Sequence, residues 1–484
     1  MPDLLTVLAL IGGVLIIAAL LSGLVERAPI SFPILFLGLG VLLGERGMGL
    51  LSIGPHDRTL EGVAIVTLAL VLFLDALRMR FGELRKDWFI PSLVLGPGTL
   101  LVILFVAGGA ILLLDVPPVY ALLLGAILAS TDPVVLRDVL RDDRLPRSIR
   151  QTLSVEAGTN DLVVLPIVLL LIAVAKAEVS GPASWGWFLV RVLLLSPLVG
   201  FAVGGVGAWL MMKADARFGV RREYQALYGV GLVLASYVAG VGIQGDGFLA
   251  AFAAGASIAI LNLKLCDCFL EYGDTTAEMA MFVAFVLFGV VLSTLVVTVP
   301  LGPTLLLAVL AIGVARPLAI FLVLRGATIS RSARLFIGWF GPRGLNSLLL
   351  ALLVVHQEVP GGERILAIAG LVVMVSVLAH GVSATPLASR YAARVKRETL
   401  AEERESSAAG LLGAHDGKVV RISARELADR LRGTDPPIVL DVRSRSSRAA
   451  NPDEIPGSVH VLPDHLEEWA AKQSPDRSVV AWCT

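Results

Sequence analysis

Charge is what this chain has least of. Asp, Glu, Lys and Arg make up 17% of its 484 residues, against about 25% in soluble domains. Hydrophobic residues reach 56%, and the mean hydropathy is +0.82. So few charges cannot clothe a water-facing protein of this length. The net formal charge is zero but unevenly placed, so it points to no partner by itself, and nucleic acid is not expected. Cysteine is scarce, with three in all. Cys266-Asp267-Cys268 is a single CxC without a second pair, and it reads as an ordinary loop rather than a metal site. No HExxH or GxSxG is present, which argues against an enzyme embedded in the membrane. A channel would call for a pore-lining ring or a repeated filter segment, and none is visible. The first apolar run lacks a basic leading region and is too long for a cleaved signal, so it reads as retained.

Long apolar runs are abundant. They recur from Leu4 to about Leu387, many near the roughly 20 residues that cross hydrocarbon. About thirteen spans are expected by hydropathy, centred near Val14, Phe36, Leu68, Leu101, Leu128, Val164, Val199, Leu232, Ala254, Phe285, Ala311, Ser347 and Val373. The expected fold is an all-α polytopic membrane protein. Basic residues cluster in alternate loops: Arg78, Arg80, Arg85 and Lys86; Arg137 to Arg150; Lys213 to Arg222; Arg325 to Arg334. Odd-numbered loops hold roughly eighteen Lys and Arg against roughly four in even ones, a positive-inside bias. The N-terminus is expected outside and the C-terminus in the cytoplasm, in an inner (plasma) membrane. Cys266 and Cys268 then fall on the cytoplasmic side, where thiols stay reduced.

Against this apolar background four polar groups stand out. The stretch SVEAGTNDLVVLPIVLLLIAVA puts Glu156, Asn160 and Asp161 at the head of span six. A charge there costs several kcal/mol, about 2.5–3.5 by insertion scales, unless it is paired, protonated or hydrated. LASTDPVVL places Ser130, Thr131, Asp132 and Pro133 in span five, and IGWFGPRGLNSLL places Pro342 and Arg343 in span twelve. Each proline lacks an N–H, freeing the carbonyl of Ala129 or Gly338. Freed backbone at membrane depth is tolerated only in protein or beside a wet cavity. Two interrupted spans seven apart suggest inverted repeats with broken, crossing helices. Asp132 and Arg343 then suit opposite half-helix dipoles. The fourth group is Asp75, near the inner end of span three, and Arg316, inside span eleven. Asp75 reads equally as a structural partner of nearby arginines. Arg316 needs a buried anion, for which Glu156 is the natural candidate.

Glu156 and Asn160 share a helix face, and Asp161 turns onto the next. One carboxylate can be locked to an arginine while the other faces a cavity. A desolvated carboxylate holds a proton or a small cation, but not both well. His380 is a lone intramembrane histidine, read as packing or hydrogen bonding rather than as a ligand.

Together Thr131-Asp132-Pro133, Glu156 with Asn160-Asp161, an arginine in span eleven and Gly341-Pro342-Arg343-Gly344 resemble the monovalent cation:proton antiporters, in their electroneutral Na+/H+ exchanger branch. The resemblance covers roughly residues 4–390. It implies that Asp161 carries the ion, that Thr131 helps to ligate it, and that Glu156 is tied to an arginine, here Arg316. It also implies Asn-Asp as the mark of one-for-one exchange, a moving six-helix core and a homodimer. Asp161 and Thr131 are thus the expected Na+ ligands, Asn160, Asp132 and Asp75 are further candidates for binding the cation or proton, and Na+ (or Li+ or K+) and H+ are the cargo, with no cofactor. Two departures touch the coordination: Ala157 stands where a serine is common, and Asp75-Ala76 where Glu-Gly is common.

The expected organisation is a transmembrane antiporter domain at 1–390, a charged Ser/Ala-rich linker at 391–415, and a small α/β cytoplasmic segment at 416–484. In the last, Ser423 can cap a helix, and PIVLDV and SVVAWC read as strands. PIVLDVRS with Asp441 and Arg443, then EIPGSVHV and SVVAWC, resemble a rhodanese domain. The sequence given stops at Thr484, one residue after Cys483, so the expectation is an incomplete rhodanese-like segment without sulfurtransferase activity. The competing class, an ion channel or a membrane-tethered sensor acting through the tail, lacks both a filter and an intact rhodanese loop.

Overall fold

The apolar runs fold as helices. A computed structural model of the chain describes residues 4–25, 31–79, 89–132, 144–176, 182–261, 267–327 and 329–397, with individual residues between 133 and 143. In the tail it describes 422–433, 436–443, 453–462, 465–474 and 477–482, with Arg448. Pro133, Cys266, Cys483 and the stretch 398–421 lie outside the described residues.

The helices are α1 (Leu4–Val25), α2 (Phe32–Leu43), α3 (Arg58–Arg78), α4 (Phe89–Leu114), α5 (Pro118–Ile127), α6 (Arg147–Ala175) and α7 (Ser184–Phe218). They continue as α8 (Arg222–Gly242), α9 (Gly247–Ile260), α10 (Asp267–Leu295), α11 (Leu301–Gly326), α12 (Arg331–Trp339), α13 (Leu345–His356) and α14 (Gly362–Arg397). Among the described residues eight helices are long and apolar enough to cross a membrane, and five more apolar helices are shorter. Twelve of the expected span centres fall within these helices, and Leu128 lies one residue past α5. The chain is a multi-pass membrane protein.

Side-chain caps start several helices: Asp57 on Thr59 N–H, Asp246 on Leu249 N–H and Ser330 on Ala333 N–H, each meeting a donor the first turn leaves orphaned. Small residues bring helices close where apolar solvent gives no drive to associate. A Cβ on Gly40 of α2 would stand 2.8 Å from the Gly289 Cα of α10, and a Cβ on Gly289 would meet Gly40 Cα at 2.8 Å. Among the described residues three helices carry a π-turn, α4 at Val94–Gly98, α7 at Arg191–Leu195 and α11 at Ala311–Ala315, and α4 and α11, seven spans apart, pack on one another.

Two chain segments break regular structure at depth. After α5 the chain leaves the helix up to Asp132, and between α12 and α13 residues 340–344 are not helical. The breaks touch: the Asp132 N–H donates to Pro342 O at 2.9 Å. Helix α6 begins at Arg147, so Glu156 and Asp161 sit inside it rather than at its head. Its first turns, with Arg147, Arg150 and Gln151, are too polar to count toward an apolar span yet are helical all the same. Helix α14 runs to Arg397, and Tyr391, Ala392 and Val395 are buried with Phe336 and Phe340. The first residues expected as linker therefore pack with the membrane helices.

In the tail, α15 (Ala424–Leu431) is capped by Ser423 on Glu426 N–H. Strands β1 (Ile438–Asp441), β2 (Val459–His460) and β3 (Val479–Trp482) form a parallel sheet in the order β2-β1-β3, with α16 (Leu466–Ala470) before β3. Arg443 is buried against Asp441 at 2.8 Å and donates to Asp453 O at 2.9 Å, its guanidinium 4.0 Å from the Trp482 ring.

Candidate functional site

The unwound ends of the two breaks expose backbone charge, and side chains answer it. Asp132 accepts from Leu345 N–H at 2.8 Å through Oδ2 and from Val134 N–H at 2.9 Å through Oδ1. Its negative charge thus lies at the N-terminus of α13, where the helix dipole is positive. Arg343 does the converse. It donates from Nη1 to Ala129 O at 3.1 Å and Ser130 O at 3.3 Å, beyond the C-terminus of α5. The carbonyl expected to be freed at Ala129 therefore finds its partner in a guanidinium. The glycines flanking Pro342 and Arg343 have a steric reason: a Cβ on Gly344 would run into the Asp132 carboxylate, and one on Gly341 into the Arg316 guanidinium.

Glu156 and Arg316 form a bidentate pair, Nη1 to Oε1 at 2.5 Å and Nη2 to Oε2 at 2.7 Å, with both side chains 3% exposed. Arg316 leads away from the α11 π-turn, and its Nη2 also donates to Ile337 O at 3.3 Å and Phe340 O at 3.1 Å. These carbonyls belong to the end of α12, so the pair fastens α6 and α11 to the broken span.

Asp161 is the contrast. It is 7% exposed and accepts from Ser130 Oγ at 2.7 Å and from Asn346 Nδ2 at 2.7 Å. Both donors are neutral, and among the described residues no cationic side chain pairs with it. Thr131 Oγ1 and both amide atoms of Asn160 are buried and have no hydrogen-bond partner among the described residues. Breaks in the chain thus bring Ser130 and Asn346 to Asp161, midway along α6. Ala157 belongs instead to a buried apolar cluster with Leu153, Ile320 and Phe340.

A cavity of about 490 Å³ opens beside this crossing, lined by Asp75, Arg78, Asp132, Asp274, Glu278 and Asn346 among others. Asn346, which lines it, donates to Asp161, and Asp161 itself is not among the lining residues. Asp75 is 8% exposed, faces the cavity, and lies 3.4 Å from Arg78 Nη1.

One side chain that reaches Asp161 was not singled out from sequence. Asn346 carries an amide in the first turn of a largely apolar half-helix, a signal visible in GLNSLL. His380 serves hydrogen bonding, as expected, but its partners emerge only in space. Nε2 lies 2.9 Å from Trp339 O, and Nδ1 lies 2.8 Å from Ser376 O and 3.2 Å from Ser376 Oγ, so the neutral ring donates to one carbonyl or the other according to its tautomer. Ser376 Oγ in turn accepts the Arg343 N–H at 2.7 Å. One histidine thus joins both sides of the span-twelve break.

A buried carboxylate with no cationic partner among the described residues, at the touching breaks of two helices and beside a cavity lined by four acids, marks a candidate ion or proton site in a membrane protein. The chain belongs to the transmembrane sodium/hydrogen exchanger family, which matches residues 14–390. That family is one of transporters, not enzymes. The chain is 28% identical over 396 residues to the K(+)/H(+) antiporter NhaP of Alkalimonas amylolytica, covering 81% of this chain and 68% of that protein. It is 29% identical over 386 residues to the K(+)/H(+) antiporter NhaP2 of Shewanella sp. (strain ANA-3), covering 78% and 66%. The Na(+)/H(+) antiporter NhaG of Bacillus atrophaeus is 24% identical over 426 residues, covering 82% and 77%. This chain thus spans about two thirds of the length of the first two relatives. The fold matches the sodium proton antiporter MjNhaP1 from Methanocaldococcus jannaschii with a TM-score of 0.67 at 22% identity, covering 80% of this chain and 99% of that one.

Proposed function

We propose that this protein exchanges a monovalent alkali cation for a proton across the membrane by alternating access, the two competing for the Asp161 carboxylate. The observation that carries the reading is Asp161 itself: buried, held by the neutral donors Ser130 and Asn346, and without a cationic partner among the described residues. An anion so placed is costly, and either a proton or a dehydrated cation relieves it. Thr131 Oγ1 and the Asn160 amide, buried without partners, supply oxygens for such a cation. Na+ on Asp161 and Thr131 is the substrate reading from sequence. Two of the relatives are named for K+ and one for Na+, so K+ is the competing cargo.

In this reading Glu156 and Arg316 are structural, Asp132 and Arg343 neutralise the crossing dipoles, and Asp75 lines the cation's path. Exchange is one for one and electroneutral. The eight long and five short helices count as thirteen crossings. The paired π-turns of α4 and α11 and the paired breaks support inverted repeats. The working unit is a homodimer, with the N-terminus outside and the tail, rhodanese-like in its parallel sheet and Asp441–Arg443 pair, in the cytoplasm. The test is cation-driven ΔpH in proteoliposomes, comparing Na+, Li+ and K+. Absence of proton movement with all three would overturn the proposal.

A further inference from the structure

Arg78, the last residue of α3, stands at the cavity with its guanidinium divided between two carboxylates. Nη1 lies 3.4 Å from Asp75 on its own helix, and Nη2 bonds Asp274 in the second turn of α10. The two acids differ in environment: Asp75 is 8% exposed, Asp274 42%. Water hydrates Asp274 without help, whereas Asp75 has little solvent and depends on whatever positive charge reaches it. The guanidinium is nevertheless shared with Asp274, and its contact to Asp75 is long for a charged hydrogen bond. Asp274 therefore draws the guanidinium toward α10 and thins the countercharge left for Asp75.

We propose that Arg78 is a tethered competitor for the entering cation, and that Asp274 sets the strength of this competition by holding Arg78 partly away from Asp75. The inference rests on the reading of this cavity as the cation's path. Arg78 makes no contact with Asp161, so it is a positioning residue, acting through the charge that Asp75 presents. A cation that approaches Asp75 replaces the weaker half of a divided ion pair, while Asp274 keeps the displaced guanidinium attached to the protein.

The proposal makes opposite demands on two partners of one ion pair. Arg78→Gln removes the competitor and should lower the apparent KM for the cation by about fivefold, the upper end for a partly exposed charge pair, with kcat nearly unchanged. Asp274→Asn releases Arg78 onto Asp75 and should raise KM. The double variant Arg78→Gln/Asp274→Asn should behave as Arg78→Gln alone, because Asp274 acts only through Arg78. Arg78→Lys, which keeps the charge, should stay near the parent KM and guards against a folding defect in the glutamine variant. All four are measured as cation-driven proton flux in proteoliposomes at one pH, beside the parent. If Asp274→Asn raises KM by the same factor with and without Arg78, Asp274 is a simple attractive charge and the proposal falls. It falls equally if Arg78→Gln raises KM or lowers kcat alone. Each of those results leaves exchange itself standing. A parent that exchanges no cation for protons overturns the transport reading and this inference together.

Discussion

Cutting Glu156 back to alanine removes the only carboxylate among the described residues that is paired with Arg316. The guanidinium is 3% exposed and keeps only its contacts to Ile337 O and Phe340 O. An uncompensated buried charge of this kind costs about 3–5 kcal/mol. Arg316→Ala should cost more, because it strands the Glu156 anion and also frees both carbonyls at the end of α12. Two lost hydrogen bonds add about 1–3 kcal/mol at 0.5–1.5 each. In the double variant no buried charge is left alone, so its loss should fall short of the sum by at least about 2 kcal/mol. The assay is equilibrium unfolding of the purified protein in mixed micelles, followed by circular dichroism, with all four members of the cycle. Losses additive to within about 0.5 kcal/mol, the behaviour of independent sites, would refute the pairing and the countercharge argument behind it.

Asp161→Asn should abolish cation-driven proton flux while the protein remains folded and monodisperse, since the amide keeps the shape but neither binds a proton nor holds a cation by charge. Normal flux in that variant would remove Asp161 from the mechanism. His380→Ala leaves a buried carbonyl, that of Trp339 or of Ser376, without its donor and should cost about 1–3 kcal/mol in the same unfolding assay, with cation selectivity unchanged. A changed order among Na+, Li+ and K+ would make His380 part of the cation site after all.

Much of this architecture was legible because lipid leaves few choices. A buried arginine must find an anion, and few acids in the helical region lie at a comparable depth, so Glu156 and Arg316 could be matched across a separation of 160 positions. Pro342 likewise announced its break, since a missing N–H has no substitute in hydrocarbon. The contacts that were not legible depend on how helices cross rather than on residue type. Nothing in the sequence around Asn346 says that its amide reaches Asp161, and nothing around Ser376 says that it accepts from Arg343. The start of α6 was hidden for a different reason. Hydropathy marks where lipid begins, whereas the helix follows backbone hydrogen bonding and extends well before Glu156 through residues such as Arg150 and Gln151. The short α5 and α13 are the converse case, apolar runs that end early because each is half of an interrupted span.

The placement of charge around Asp161 bears directly on stoichiometry. Glu156 and Arg316 cancel one another. Asp132 faces the N-terminus of α13, and Arg343 faces carbonyls beyond α5, so each is committed to fixed backbone dipoles. Asp161 remains as the carboxylate held by neutral donors alone, and its neighbour Asn160 is an amide. One carboxylate accepts either one proton or one monovalent cation, and a cycle that trades them moves no net charge. Two consequences follow. Below the pKa of the site, apparent cation affinity should weaken about tenfold per pH unit, the factor that one unit of protonation represents. The exchange rate should also be indifferent to an imposed potential, whereas a cycle carrying one net charge would feel about 2.3 kcal/mol per 100 mV. Proteoliposomes clamped with K+ and valinomycin at several potentials distinguish the two through Na+-driven proton flux. A clear voltage dependence would refute one-for-one exchange, and Asp75, a buried carboxylate on the cavity wall that, unlike Asp132, does not face a helix N-terminus, would then be the group carrying the additional proton. Asp75→Asn should in that case abolish the voltage dependence and leave the exchange running.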